Sequence, residues 1–270
     1  MTAVPPAAGD LDTGTPHPAR VYDWFLGGSD HFAADAELGR QLDALDGSTK
    51  YCARHNRWFM RRATRHLAGA AGIRQFLDLG SGIPTEPNLH RVAQGVAPEA
   101  RVVYVDNDPI VLRHAEPLLH GTPAGASTFV QADVREPELV LERAAAVLDF
   151  DRPVALSLVA LLHFVSDEDG AREIVRHLVD ALAPGSHLVL SQMAGDWMPE
   201  RTDRAVEMYK AGGVTLVPRS RAQVEAFFEG FDLLAPGLVW PPDWRPELAT
   251  DDEVRDGTEV PLHAGVGRKL

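Results

Sequence analysis

The sequence predicts an α/β fold built on a doubly wound parallel sheet, and three observations lead to this prediction. The stretch from Gln75 to His90 has the pattern of a buried strand, a glycine-rich turn and a helix. Further strand segments follow at 101–105 and 127–131, separated by helix-start signals. The segment at 154–159 is apolar at nearly every position, which is typical of a central parallel strand.

Composition limits the classes of function. The chain has 270 residues, enough for one α/β domain with additions, and a net charge of −13. An acidic chain lacks the electrostatic footprint of a general nucleic-acid binder. Cys52 is the only cysteine, which rules out an intrachain disulfide and a cysteine metal cluster. No signal peptide or membrane-length apolar run is visible, so we expect a cytoplasmic enzyme. Arginine far outnumbers lysine, which indicates a high-GC bacterium as the source.

The N-terminal part of the chain precedes the expected sheet. Residues 1–18 are rich in proline and lack an apolar period, so we expect a disordered tail. Residues 19–70 are expected to form a helical cap, and residues 71–270 the ligand-binding domain. The aromatic cluster around Tyr22 is either a lid over the ligand or a packing helix over a sheet edge.

A helix is expected over 50–70, because apolar residues recur there at helical spacing. A second stripe of this helix is basic, and it consists of Arg54, Arg57, Arg61 and Arg65. We expect this stripe to face solvent, with a partner site as the alternative. Asn56, on the same helix, is a candidate for approaching a ligand carboxylate.

The glycine turn distinguishes between two ligand classes. Glycine at positions 80 and 82 permits unusual backbone angles and lets a ligand approach the main chain around Ser81. A dinucleotide site requires a third glycine where this chain has Thr85, and nearby prolines remove N–H donors that a diphosphate needs. Asp78 repels phosphate but suits an ammonium group. A nucleoside carrying an amino acid, S-adenosylmethionine, fits these features, although a D-x-G-x-G pattern alone also occurs by chance.

The ends of the next two strands supply further candidates. Asp106 ends the second strand, where a carboxylate holds a ribose diol, and Asn107 beside it is included in the predicted cofactor site. Asp108 is expected to be a helix N-cap. Asp133 ends the third strand and can accept from an adenine amino group, while the N–H of Val134 donates to a ring nitrogen. The alternative for Asp133 is a helix N-cap, and both roles are compatible.

The rest of the chain predicts alternating strands and helices. Strand 154–159 is followed by His163, a candidate for lining the acceptor pocket or moving a proton, with simple packing as the alternative. Ser166 is expected to start a helix that ends before Pro184. Further strands are expected at 187–191, 231–234 and 264–270, and a capped helix after Ser220. A helix is also expected within 194–213, where it either walls the substrate pocket or lies on the surface.

Several of these segments together resemble the class I S-adenosylmethionine-dependent methyltransferases. The matching pieces are LDLGSG at 77–82, VVYVDNDP at 102–109, QADVRE at 131–136 and APGSHLVLSQM at 183–193. More narrowly, ARVYDWFLGGSDHFAAD at 19–35 and GFDLLAPGLV at 230–239 are similar to a family of bacterial S-adenosyl methyltransferases long classified as a domain of unknown function. The resemblance implies a Rossmann-like sheet of seven strands, mostly parallel with the last antiparallel. It also implies that Asp106 holds the ribose, Asp133 the adenine amino group and 80–82 the methionine end. Thr85 departs from the glycine of many relatives in the wider class.

The resulting prediction is an S-adenosylmethionine-dependent methyltransferase acting on a small-molecule acceptor, without nucleic acid, membrane or metal. Its predicted cofactor-binding residues are Asp78, Gly80, Ser81, Gly82, Asp106, Asn107, Asp133, Val134 and Tyr22. Candidates for a general base, if the acceptor needs one, are His163, Tyr22, Asp23 and His31. Two alternatives stay open at this point: a protein of the same fold that binds the cofactor without catalysis, and an NAD-dependent oxidoreductase.

Overall fold

The computed structural model describes residues 12–115, 121–254 and 257–270 of the chain. Within these ranges, seven strands form one sheet in the order β3-β2-β1-β4-β5-β7-β6. The strands are β1 Gln75–Leu79, β2 Arg101–Asp106, β3 Ala126–Gln131, β4 Ala155–Val159, β5 His187–Met193, β6 Phe231–Leu233 and β7 Leu262–Lys269. Strands β1 to β5 pair in parallel, and β7 is antiparallel to both β5 and β6. The predicted fold class is therefore confirmed.

Nine α-helices accompany the sheet in the described part of the chain. They are α1 Pro18–Leu26, α2 Ala33–Asp43, α3 Thr49–Gly69, α4 Leu89–Val96, α5 Pro109–Ala115, α6 Pro137–Ala144, α7 Ala171–Asp180, α8 Pro199–Ala211 and α9 Arg221–Glu225. None of the helices described combines the length and the apolar composition that crossing a bilayer requires.

Two apolar cores cover the two faces of the sheet, because successive side chains of a strand point in opposite directions. On one face, Leu77 and Leu79 of β1 pack in a cluster with residues of α6 and α7. On the other face, Phe76 packs with residues of α3 and α4. Leu77 is fully buried, and such a side chain contributes about 1.5–3 kcal/mol through its removal from water. The strand that carries the glycine turn is thus held from both sides.

A third apolar cluster joins the N-terminal helices to the insertion after β5. It contains Val21 and Phe25 of α1, Leu42 of α2, and Ala205 and Tyr209 of α8. The aromatic N-terminal segment therefore packs as a helix against α8. The predicted insertion helix within 194–213 is observed as α8.

Two helices begin later than we predicted, for local reasons. The helix expected after the glycine-rich turn begins only at Leu89, as α4, because Pro84 and Pro87 restrict the preceding loop. Ser166 was expected to start a helix, but Ser166 and Asp169 instead bond to each other in a turn, at 3.1 and 2.9 Å. Gly170 then adopts a left-handed φ of 79°, so α7 begins only after it.

The basic stripe of α3 does not lie on a solvent face, apart from the exposed Arg54, so this prediction was wrong. Arg57 and Arg61 each donate to a carbonyl of the loop at 85–86, both at 2.9 Å. Arg65 pairs at 2.9 Å with Glu253, which also pairs with the buried Arg62. The chain after β1 and the chain before β7 cover this stripe, and their buried carbonyl and carboxylate groups need donors. The stripe is therefore part of the packing of the fold.

The predicted disordered tail extends too far into the chain. Residues 1–11 lie outside the described residues, but residues 12–17 are placed directly before α1. Arg20 donates to the carbonyl oxygens of Asp12 and Thr15 at 2.9 and 3.1 Å. These bonds fix the approach to α1 from at least Asp12 onward.

Candidate functional site

A cavity of about 440 Å³ opens where the parallel strands β1 to β4 end. This volume lies in the usual range for small-molecule sites, roughly 300–1,000 Å³. All the predicted cofactor-binding residues line it, namely Tyr22, Asp78, Gly80, Ser81, Gly82, Asp106, Asn107, Asp133 and Val134. The structure therefore brings the ends of β1, β2 and β3 together around one space. Their roles as cofactor ligands stay a prediction.

The glycine turn after β1 forms one wall of the cavity. Gly80 and Gly82 both have a φ of 65°, a left-handed conformation that side chains disfavour. The N–H of Gly80 donates to the carbonyl of Val105 at 2.8 Å, which ties the turn to β2. A Cβ on Gly80 would lie 2.5 Å from the side chain of Leu161, whereas a Cβ on Gly82 would meet nothing within 4 Å. Gly80 is thus required by packing, and Gly82 leaves open space toward the cavity.

The carboxylate of Asp106 is held in a fixed orientation at the end of β2. Its Oδ2 accepts from the N–H of Gly82 at 2.8 Å, and its Oδ1 accepts from the N–H of Asp108 at 3.0 Å. Burial raises the pKa of Asp106, against the opposing effect of these two bonds. Each carboxylate oxygen can accept a second hydrogen bond, so the group can still receive hydroxyl donors from a ligand. Asp108 caps α5 through the N–H of Ile110 at 2.9 Å, in agreement with its predicted role.

Asp133 follows β3, lines the same cavity and is oriented by two neighbours. Asn107 donates to its Oδ2 at 3.0 Å, and the main-chain N–H of Arg135 donates to its Oδ1 at 2.9 Å. The guanidinium of Arg135 also contacts this carboxylate and donates at 3.0 Å to the carbonyl of Phe164. Arg135 lines the cavity but was not among the predicted residues. Glu136, and not Asp133, occupies the N-cap position of α6, and its side chain makes no capping hydrogen bond.

A buried acid and an arginine face the cavity near the glycine turn. Asp78 is only 7% exposed, and burial raises its pKa to about 6, opposed by the neighbouring hydroxyl of Ser157 and by the charge of Arg57. Arg57 lines the same cavity and is positioned by its bond to the carbonyl of Thr85. Sequence reasoning missed Arg57, because an arginine in a regular basic stripe gives no signal that one member turns inward. The pair offers a negative and a positive group to the same end of a ligand.

A chain of hydrogen bonds links α1, α3 and β5 beside the cavity. The hydroxyl of Tyr22 donates to the carbonyl of Ala53 at 2.9 Å and accepts from Nδ2 of Asn56 at 3.0 Å. The hydroxyl of Ser191 donates to Oδ1 of Asn56 at 2.6 Å and accepts from the N–H of Ala160 at 2.9 Å. Burial raises the pKa of Tyr22 to about 12, so its phenol is neutral at ordinary pH. Asn56 was noted in the sequence, but Ser191 has no sequence signal.

The four candidates for a general base separate into two groups. Tyr22 lines the cavity, and His163 lies in a smaller pocket beside it. Burial lowers the pKa of His163 to about 3, aided by the charge of Arg219, so its imidazole is neutral. Asp23 and His31 bond to each other at 3.0 Å and line neither space. Asp23 also accepts at 3.0 Å from the N–H of Asp30, so its carboxylate stabilises the Gly27-Gly28 turn instead.

The segment before α1 closes one side of the cavity. Thr15, Pro16 and His17 contribute to its wall, next to Pro18 at the start of α1. The N–H of His17 donates to Asp35 at 2.9 Å, and its Nδ1 lies 3.1 Å from Oδ2 of Asp108. Since Asp108 is two residues from Asp106, these contacts fix the segment beside the end of β2. No sequence pattern indicated this role, because proline-rich segments without an apolar period are usually disordered.

A comparison with protein families and with solved structures gives a consistent result. A family model described as S-adenosyl methyltransferase matches residues 5–270. A crystal structure of a DUF574 family protein from Streptomyces avermitilis is 45% identical, with a TM-score of 0.91, over 96% of this chain and 99% of that one. A protein from Thermobifida fusca, provisionally described as a methyltransferase, is 41% identical, with a TM-score of 0.86, over 99% of both chains.

More distant structures share the fold. The magnesium protoporphyrin IX methyltransferase of Synechocystis, crystallised with S-adenosylhomocysteine, is 15% identical, with a TM-score of 0.51, over 93% of this chain and 98% of that one. At this identity the likeness extends to the fold alone. Among curated proteins, none matches the chain.

Proposed function

Since the chain belongs to the S-adenosyl methyltransferase family and S-adenosylmethionine is the cofactor of that family, we propose that it transfers the methyl group to a small-molecule acceptor. The observation that carries the proposal is the convergence of three strand ends on one cavity, with Gly82, Asp106 and Asp133 on its wall. An adenosyl ligand has a methionine end, a ribose and an adenine to be held, and the cavity offers a different residue to each of these three parts. An acidic chain with a net charge of −13 favours a small acceptor over nucleic acid.

We propose that the cofactor lies along these strand ends. In this arrangement Asp106 accepts from the ribose hydroxyls, and Asp133 accepts from the adenine amino group beside the N–H of Val134. The methionine end lies at the open side of Gly82. Asp78 faces the ammonium group and Arg57 the carboxylate, because this pair supplies the two charges that an amino acid needs.

We also propose that the N-terminal helices, residues 19–70, act as a cap on the domain of residues 71–270. Support comes from Tyr22, Asn56 and Met60, which lie on these helices and line the cavity. A cap of this kind excludes water from the sulfonium group.

The reaction breaks the bond between sulfur and the methyl carbon and forms a bond between that carbon and a lone pair of the acceptor. The cofactor leaves as S-adenosylhomocysteine, and a proton bound to the attacking atom is released to water. Because the sulfonium carbon is already electrophilic, the protein contributes mainly by aligning the two reactants. Near pH 7 the phenol of Tyr22 keeps its proton, because its pKa is about 12, and the neutral His163 is a weak base, because its pKa is about 3.

Calorimetry with S-adenosylhomocysteine and with NADH tests the ligand class. We expect saturable binding of S-adenosylhomocysteine and none of NADH, because the turn lacks the third glycine and has Pro84 and Pro87 in place of N–H donors. Binding of NADH alone would reject the proposal. Formation of S-adenosylhomocysteine from S-adenosylmethionine across a panel of small acceptors then separates catalysis from simple cofactor binding.

A further inference from the structure

A second, smaller pocket lies beside the cofactor cavity and has no role in the function proposed so far. Its volume is about 110 Å³, and it lies between α1, α3, α8 and the residues that follow β4. Most of its wall is apolar, for example Phe25, Leu42, Ala205 and Leu216. These four side chains belong to the cluster that joins the N-terminal helices to α8. The pocket therefore lies at the centre of this cluster.

The pocket and the cofactor cavity share part of their walls. Pro18, Tyr22, Asn56, Ala160 and Phe164 line both spaces. The only polar side chains of this shared wall are those of Tyr22 and Asn56. One hydrogen of the Asn56 amide goes to Tyr22, and its other hydrogen is left for a ligand. A molecule in the pocket would thus meet Tyr22 and Asn56 where it faces the cofactor, and the polar side chains of Thr49, His163, Arg201 and Tyr209 elsewhere on the wall.

The pocket favours a ligand without charge. No aspartate or glutamate is among the described residues that line it, so an ammonium group would find no counter-ion. Arg201 contributes to the wall, but its guanidinium donates to Asp46 at 3.0 Å and to Ser48 at 2.9 Å. Its charge is thereby balanced, which leaves little attraction for a ligand carboxylate. Burial raises the pKa of Cys52 to about 11, so this thiol is neutral as well.

The size of the pocket suits a single ring. An apolar protein cavity of about 150 Å³ accepts benzene, and the pocket at about 110 Å³ opens into a larger space. A hydroxyl on such a ring would lie at the shared wall, next to Asn56. A phenol, with a pKa of about 10, loses its proton far more readily than an aliphatic alcohol, which matters where no strong base is present.

We propose that this pocket holds the methyl acceptor and that the acceptor is a neutral, ring-sized phenol or the phenolic end of a larger molecule. This inference rests on the proposed function. The phenolic oxygen forms the new bond to the methyl carbon as the bond between sulfur and carbon breaks, and the phenolic proton passes to water. Phe25 and Leu216 pack against the ring, and Tyr22 and Asn56 orient the hydroxyl toward the cofactor cavity.

Ligand-observed NMR with phenol, benzylamine and benzoate, in the presence and absence of S-adenosylhomocysteine, tests the pocket. We expect binding of phenol and little binding of the two charged probes. Ala205→Phe places a ring in the pocket and should weaken phenol binding roughly tenfold, about 1.4 kcal/mol. Arg204→Phe adds the same ring on the exposed side of α8 and should leave binding unchanged. Met193→Ala removes part of the pocket wall and should shift preference from phenol toward 2-naphthol.

Calorimetry with S-adenosylhomocysteine on each variant shows that the protein is folded and separates the two proposals. Wild-type protein that fails to bind S-adenosylhomocysteine contradicts the proposed function. If it binds S-adenosylhomocysteine but phenol binding is absent, or is equal in Ala205→Phe and wild type, the pocket assignment is overturned. Preferential binding of benzylamine or benzoate also overturns it, because the pocket would then favour a charged ligand.

Discussion

Acidification is expected to weaken S-adenosylhomocysteine binding through the buried carboxyl of Asp78. Burial raises the pKa of this group to about 6, so it is mostly ionised at pH 7 and mostly protonated at pH 5. If Asp78 faces the ligand ammonium, only the ionised form attracts the ligand. About nine-tenths of the carboxyl is ionised one unit above its pKa and about one-tenth one unit below. Affinity should therefore fall about tenfold from pH 7 to pH 5.

The free protein should show the opposite pH dependence, because the raised pKa means that folding disfavours the ionised carboxyl. The resulting loss of folding stability is absent below pH 3.8, which is the pKa of the carboxyl in the unfolded chain. It is fully present above about pH 6, the pKa in the folded protein. A shift of this size corresponds to roughly 3 kcal/mol. Asp78→Asn removes the ionisation, so near pH 7 it should raise the stability of the free protein and yet weaken ligand binding. Near pH 4, the variant and the wild type should have similar melting temperatures.

Calorimetric titration with S-adenosylhomocysteine at several pH values, on wild type and on Asp78→Asn, provides the measurement. The wild type should show the tenfold dependence, and the variant should lose most of it. The ligand ammonium keeps its proton throughout this range, so it does not contribute. A flat wild-type profile, or an equal slope in the variant, would refute the placement of Asp78 beside the ammonium group.

Three further changes test other parts of the structure. Asp106→Ala should weaken S-adenosylhomocysteine binding by about 1–3 kcal/mol in calorimetry. The control Asp232→Ala, on the exposed edge strand β6, should leave binding unchanged. Equal affinities of the two variants would contradict the ribose assignment. Gly80→Ala should lower thermal stability by about 1–3 kcal/mol more than the control Gly72→Ala does. Both glycines have a left-handed φ, but only a Cβ at position 80 would clash, with the side chain of Leu161. Glu253→Ala should cost about 3–5 kcal/mol in denaturant unfolding by leaving Arg62 buried without its partner, and a loss below 1 kcal/mol would show that the pair contributes little.

The parts of the site that could be predicted from sequence are those in which local pattern decides the structure. An apolar strand followed by glycines sets the backbone conformation at Gly80 and Gly82 by itself. Acids at the ends of parallel strands must meet at one edge of the sheet, which is why Asp106 and Asp133 line the same cavity as the glycine turn. The family, the fold, the enzyme class and the cofactor predicted on this basis are confirmed.

The parts that could not be predicted depend on contacts between distant segments. Ser191 meets Asn56 across 135 positions of sequence, and no local pattern indicates this contact. The loop carbonyl of Thr85 holds Arg57 at the cavity, whereas Arg65 of the same stripe pairs with Glu253. The segment around His17 becomes a wall of the cavity through its contacts with Arg20, Asp35 and Asp108. In each case a tertiary hydrogen bond or ion pair decides which way a polar group points.

The end of β4 is the place where the two proposed ligands would meet. Strand β4 pairs with β1 on one side and with β5 on the other, so its end borders both the cofactor cavity and the second pocket. Ala160 follows this strand with a φ of 57°, which is unfavourable for a residue with a side chain. Its N–H bonds to the Ser191 hydroxyl, which in turn holds Asn56, so the strained turn and the polar wall of the second pocket fix each other. A donor held by β1 to β3 and an acceptor held by α1, α3 and α8 would come within reach along the shared wall to which Ala160 belongs.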